Sequence, residues 1–371
     1  MNNRENLKKD LIRDTVENYK VCLRIVKSSP KIVSMVSLQY LPYLSLNVLD
    51  MIGEFKLNDV DKHYDLRNAK FSQLLHASRN VLKTGTDNHK YNKVLKNLEH
   101  SIKTNYENLT KDYNFIQRLG IKIVGQKDLA VFSYNGIPFL NNIQHEQFIN
   151  QFRAQQNEIS SEDIINFSSS VTNIMTLFLK TIISTDEILD SCKSVIEEPE
   201  IHFDMNDYFL YEETRSDLFL NKLSREQNTF LFNLLCQVNT VKFIYPEVLK
   251  LKGNTMLRFK YIVYLTLVKG IWIYNQENNL TISIKELINS SDNLFKDDKN
   301  RKNFRNNIFH YDIPKNAQYR ENVIDTLVEH YLGIENSEFE KHVDYCFEIF
   351  LKEVNIILFG EQKIFRGSNV S

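Results

Sequence analysis

The sequence predicts a mainly α-helical protein, a helical bundle with a small β-hairpin insertion near residues 120–140. Three observations carry that expectation. Ten glycines and six prolines in 371 residues are too few for a sandwich, a barrel or a glycine-threaded doubly wound sheet, each of which needs frequent tight turns. Apolar residues recur at helical intervals along much of the chain. The turn chemistry that does exist is concentrated, with Gly120, Gly125, Gly136 and Pro138 inside nineteen residues. Hydrophobic residues at 42% and charged residues at 25% exclude a disordered chain, and 18 Tyr with 24 Phe supply bulky core material.

Taken in order, Asn6 to Ser28 reads as a polar-rich helix, Ile32 to Gly53 as a buried helix pair bent at Pro42, and Leu66 to Leu82 as a further helix. From His89 to Leu119, the residues Leu95, Ile102, Tyr106, Leu109, Tyr113 and Ile116 fall seven, four, three, four and three apart, one stripe of a long helix. Ile121 to Val124, Leu129 to Tyr134 and Ile137 to Leu140 alternate or run apolar, and Asn135-Gly136 is the dipeptide a two-residue hairpin prefers. Helices are expected to resume over Gln144–Ala154 and Ser161–Val195. Glu197 to Glu213 then holds seven carboxylates and no Lys or Arg, with Ile201, Phe203 and Met205 alternating against His202 and Asp204. A short edge strand or an extended linker fits, and the sequence divides best here, into residues 1–196 and 197–371. Beyond it, helices are expected near Ser216–Phe243, Thr255–Asn275, Ser283–Ser290, Asp298–Tyr311, Gln318–Tyr331 and Ser337–Phe359. The last has Ser337 and Glu340 as a capping box and Gly360 past its end.

The formal net charge of −1 means that any nucleic-acid partner must be held by a local patch. Cys22, Cys192, Cys236 and Cys346 lie far apart with no CxxC pair, as expected of buried thiols in a reducing compartment. Met1 to Asp14 has no apolar signal-type region. Ile32 to Leu49 is uncharged but carries Ser34, Ser37, Gln39, Pro42, Ser45 and Asn47, which suits a buried helix pair better than a membrane span. Met256 to Tyr274 is interrupted by Arg258, Lys260 and Lys269. A cytoplasmic protein without a membrane partner is the expectation.

One segment stands out for chemistry: Lys302-Asn303-Phe304-Arg305-Asn306-Asn307-Ile308-Phe309-His310-Tyr311-Asp312. It resembles the signature of the HEPN superfamily, helical ribonucleases of toxin–antitoxin, abortive-infection and CRISPR-associated systems, in which an Arg, usually followed by Asn or another polar residue, is separated from a His by four to six residues. Fourteen arginines, nine histidines and three permitted spacings predict roughly one bare match by chance; requiring the Asn and a Tyr after the His lowers that to roughly 0.005. The resemblance spans the motif and its flanking helices, within the C-terminal 120 to 170 residues, and does not reach the N-terminal half. It implies a C-terminal HEPN-like helical domain, an RNA substrate, a homodimer whose shared cleft receives one Arg and one His from each chain, and a setting in phage defence or as a toxin.

The residue types suit that reaction. Cleavage of a phosphodiester by its own 2′-hydroxyl needs a base, an acid and positive charge on the phosphorane, and neither a metal nor a cofactor. Arg305 can hold the phosphate bidentately, His310 can shuttle protons, and Asn306, one helical turn before His310, can orient its ring. Arg305 and His310 stand about 140° apart around a helix axis, which a composite dimer site resolves. Lys296, Lys299, Arg301, Lys302 and Arg305 outweigh Asp297 and Asp298, and Tyr311 interleaves with them, so Lys299, Arg301, Lys302 and Tyr311 are the expected RNA contacts. Phe304 and Phe309 read as core.

Other readings stay open. Arg305 and His310 could form a structural cluster in a non-catalytic RNA- or protein-binding module. Arg67-Asn68 before His76 and Arg79-Asn80 before His89 lie outside the family spacing. Glu200, His202, Asp204 and Asp207 could bind a divalent ion, or the acidic run could lie on the basic patch as a phosphate mimic. No Walker loop, dinucleotide fingerprint, GxSxG elbow or HExxH helix is present. The N-terminal region would serve an inhibitory or sensor partner.

Overall fold

In a computed structural model, residues 3–27, 91–153, 203–277, 281–295, 297–310 and 312–360 are described. The helices expected at Ile32–Gly53, Leu66–Leu82 and Ser161–Val195, both extra Arg-Asn pairs, Cys192, Glu200, His202, Lys296 and Tyr311 lie outside them.

The chain is mainly α-helical, with a small three-stranded antiparallel sheet, as the sequence predicts. Helix α1 spans Asn3–Lys27 and α2 Tyr91–Thr110. The long helix expected through Leu119 ends at Thr110, and α3, Phe115–Val124, starts afresh. Local capping outcompetes the apolar stripe there: Thr110 Oγ1 bonds back to Tyr106 O, and the Asn114 side chain accepts from Gln117 N in a reciprocal box. Ile121 to Val124, expected as a strand, closes α3 instead, and the Gly125 N–H bonds Ile121 O at φ +80°. Four residues with three apolar side chains fit either structure, and the positive-φ glycine favours a helix end.

Strands β1, Leu129–Tyr134, and β2, Ile137–Asn141, form the expected hairpin. Asn135 and Gly136 both take positive φ, 51° and 78°, the geometry of a type I′ turn. Strand β3, Asp204–Tyr208, pairs with the other edge of β1, so the acidic run supplies an edge strand and the sheet order is β2-β1-β3. The division expected at 196/197 therefore falls between strands of one sheet. Helix α4, Asn142–Arg153, follows β2.

Helix α5, Arg225–Asn239, runs on into a π-helical segment over Thr240–Val248 that absorbs Pro246. It starts at a Ser224–Gln227 capping box rather than near Ser216, where residues 213–215 make a single 3₁₀ turn. Asn141 of β2 donates to Asn233 Oδ1 of α5 at 2.9 Å, and Gln144 donates to Asn233 O at 3.1 Å, a buried polar seam between sheet and helix. Helices α6, Gly253–Glu277, α7, Ile282–Leu294, α8, Asp298–His310, α9, Val323–Leu332, and α10, Asn336–Phe359, complete the bundle. The capping box expected at Ser337 and Glu340 does not form: Glu335 is the N-cap, and Glu340 turns to Lys260 of α6 at 2.8 Å. Gly360 ends α10 as expected, its N–H on Ile356 O.

One contiguous core runs from Tyr19 on α1 to Phe359 on α10. Asp10 of α1 accepts from Val323 N and the Tyr319 hydroxyl, and Arg24 donates to Leu249 O at 2.7 Å, so α1 is pinned on the C-terminal helices. No helix among the described residues is long and apolar enough to cross a membrane.

Candidate functional site

Helix α8 carries the Arg–His motif, and its sequence explains how so polar a segment is held. Asp297 caps the start, its Oδ1 accepting Asn300 N at 2.7 Å, and Asp298 in the first turn meets the positive end of the helix dipole. Phe304 and Ile308, one turn apart, are fully buried, and Phe309 nearly so. The Phe304 ring packs against Phe295, Tyr331 and Phe339 at centroid distances of 5.6, 5.9 and 5.7 Å. Phe304 and Phe309 are thus core, as expected.

The far end is held by a residue the sequence reading missed. Arg258 of α6 is 1% exposed; its Nε donates to Ile308 O at 2.8 Å and its Nη2 to Phe309 O. A guanidinium on the last carbonyls of a helix satisfies acceptors that lack intrahelical donors and opposes the negative end of the dipole. Asn307 adds a brace, donating to the Tyr331 hydroxyl at 2.9 Å while its carbonyl accepts from Asp312 N. The signal was present: a cation inside a 25-residue apolar helix must find acceptors nearby. Lys260, on the same helix, does so with Glu340 and Asp344, both at 2.8 Å.

With α8 fixed at both ends, its polar residues divide between two faces. Lys299, Lys302, Asn306 and His310 lie within an arc of about 80°. Lys299, Lys302 and His310 are exposed, and Asn306 is half-buried. Arg301 and Arg305, also one turn apart, occupy a second face and are half-buried. The motif's Arg and His are therefore not brought together on one face of the helix, and about 140° separates them.

The second face borders a cleft of about 400 Å³ between α6, α7 and the head of α8, with Lys269, Trp272, Asp292, Phe295 and Arg301 among its walls. Arg301, expected to meet RNA, is engaged there: it bonds Asp292 at 2.5 Å and lies over the Phe295 ring at 5.4 Å. Its neighbours' charge and flat ring draw it off the exposed stripe. Lys269 sits 4.0 Å over the Trp272 ring. Burial holds the Lys269 ammonium below its ordinary pKa; Asp298 and Asp292 oppose that shift, and Arg301 and Arg305 add to it.

Asp204 and Asp207, the described members of the alternative metal cluster, are exposed on β3. Among the described residues no group of three or more His, Cys, Asp or Glu is placed to hold a metal ion. Comparison with family models, curated proteins and solved structures finds no match.

Proposed function

We propose that this protein is an endoribonuclease that cuts RNA by attack of the adjacent 2′-hydroxyl, at a site shared by two copies of the chain. The observation that carries the proposal is the immobilised helix α8: buried rings and Arg258 fix it, leaving a solvent-facing stripe of Lys299, Lys302, Asn306 and His310 with Arg305 on the adjoining face. In this reading the lysines hold backbone phosphates, Arg305 stabilises charge on the phosphorane, and His310 moves the proton with its ring oriented by Asn306. The separation of Arg305 from His310 around the axis is what makes a second copy necessary. The chemistry requires no metal, and the resemblance of the motif to HEPN ribonucleases supports a setting in phage defence or as a toxin.

The half-burial of Arg305 beside the Lys269–Arg301 cleft favours a second reading, a non-catalytic helical module that binds RNA or a protein through the same stripe. Single-stranded RNA incubated with purified protein and excess EDTA separates the two. The nuclease leaves 2′,3′-cyclic phosphate ends, and Arg305→Ala and His310→Ala each slow it by about 10²–10⁴ while circular dichroism stays unchanged. Intact RNA that remains bound supports the module.

A further inference from the structure

Beside the motif, the cleft between α6, α7 and the head of α8 combines three features. Its volume, about 400 Å³, is at the small end of pockets that enclose one small ligand. Its walls offer rings with cations already seated on them, Lys269 over Trp272 and Arg301 over Phe295. They also offer the carboxylates of Asp292, Asp297 and Asp298. A purely anionic ligand would be repelled by those carboxylates, and a purely apolar one would desolvate five charged side chains. A ligand that fits presents a flat face, a cluster of hydrogen-bond donors and a negative group.

A nucleotide has all three. The base stacks on Trp272, the exposed ring of the wall, as bases do in single-strand recognition, and the phosphate meets Lys269 and Arg301. The carboxylates choose among bases: on its Watson–Crick edge guanine places two adjacent N–H donors that one carboxylate can accept together, whereas adenine sets an acceptor against it. Asp292 keeps that capacity while bound to Arg301, because each carboxylate oxygen accepts more than one hydrogen bond. We infer that this cleft is a guanine-nucleotide subsite at the head of the cutting helix, which gives the enzyme a preference for guanine in the strand it binds. The inference rests on the reading of α8 as an RNA-cutting helix.

Trp272 is the chain's one tryptophan and is 38% exposed, so its emission reports on the cleft without any cleavage assay. The full chain is titrated with GMP, AMP, UMP and inorganic phosphate, in parallel with the RNA assay. The expected result is saturable quenching by GMP, about ten-fold tighter than by AMP, the discrimination that one bidentate base contact supplies. Inorganic phosphate should leave the emission unchanged, and Asp292→Asn together with Asp298→Asn should erase the preference in a chain of unchanged circular dichroism. Equal responses to all four probes, or none to GMP, overturn the subsite. RNA cleavage without any response to GMP overturns the subsite and leaves the nuclease reading standing. Quenching by GMP in a chain that leaves RNA intact upholds the subsite and overturns the nuclease reading.

Discussion

Helix α8 has three apolar side chains in thirteen residues and buries all of them; α3 has six in ten residues and buries none. Phe115, Ile116, Ile123 and Val124 of α3 are 70–79% exposed, whereas Phe304 and Ile308 of α8 are at 0%. Composition alone would have ranked the two helices the other way. The difference lies in what faces them. Around α8, Phe295 just past α7 and rings on α9 and α10 converge on Phe304, and Arg258 accounts for the terminal carbonyls. Beside α3, Arg215 reaches Lys122 O at 3.3 Å, and none of the helix's side chains is buried. A helix is fixed by the partners its neighbours supply, and fixation is what a catalytic side chain at its surface requires.

That contrast can be tested by substitution, read by urea unfolding. Phe304→Ala should cost about 3–5 kcal/mol, because the cavity opens among rings that cannot collapse into it. Arg258→Met keeps the aliphatic stem but strips the donors from two buried carbonyls, an expected loss of about 2–3 kcal/mol, and Arg258→Lys should not restore it, since an ammonium lacks the forked geometry. On the sheet side, burial lowers the His145 imidazole to about 4 from an ordinary 6.5, so the unfolded chain takes up the proton first. Stability should fall as pH drops through 6.5 toward 4, by about 2 kcal/mol near pH 5, and His145→Gln should flatten that slope. Phe115→Ser with Ile123→Ser on α3 should change stability by no more than about 0.5 kcal/mol. A large loss there would show that α3 is held by contacts its exposure conceals.

Much of α8 was legible in the sequence. Asp298 at the head, the Phe304 and Phe309 core positions and the shared face of Asn306 and His310 all follow from spacing. Arg258 was legible only in part, because the apolar helix around it marks the charge as needing acceptors while those acceptors lie fifty residues away. Arg301 was read as a free basic residue; its capture depends on Asp292, nine residues earlier on another helix. The break at Thr110 was hidden because the apolar stripe continues through it, and side-chain caps, which carry no periodicity, decide where the helix stops. The third strand was legible only as an option, since Asp204–Tyr208 is polar and gains its place from pairing with β1.

The most direct test of the account mixes two impaired chains. Arg305→Ala and His310→Ala proteins, each slowed by at least about 10² when alone, are combined, allowed to exchange subunits, and assayed on single-stranded RNA in EDTA. A site assembled across two copies predicts that the mixture regains a measurable share of wild-type cleavage with cyclic phosphate ends. A mixture as slow as either parent, beside an active wild type that sediments as a monomer, would contradict it.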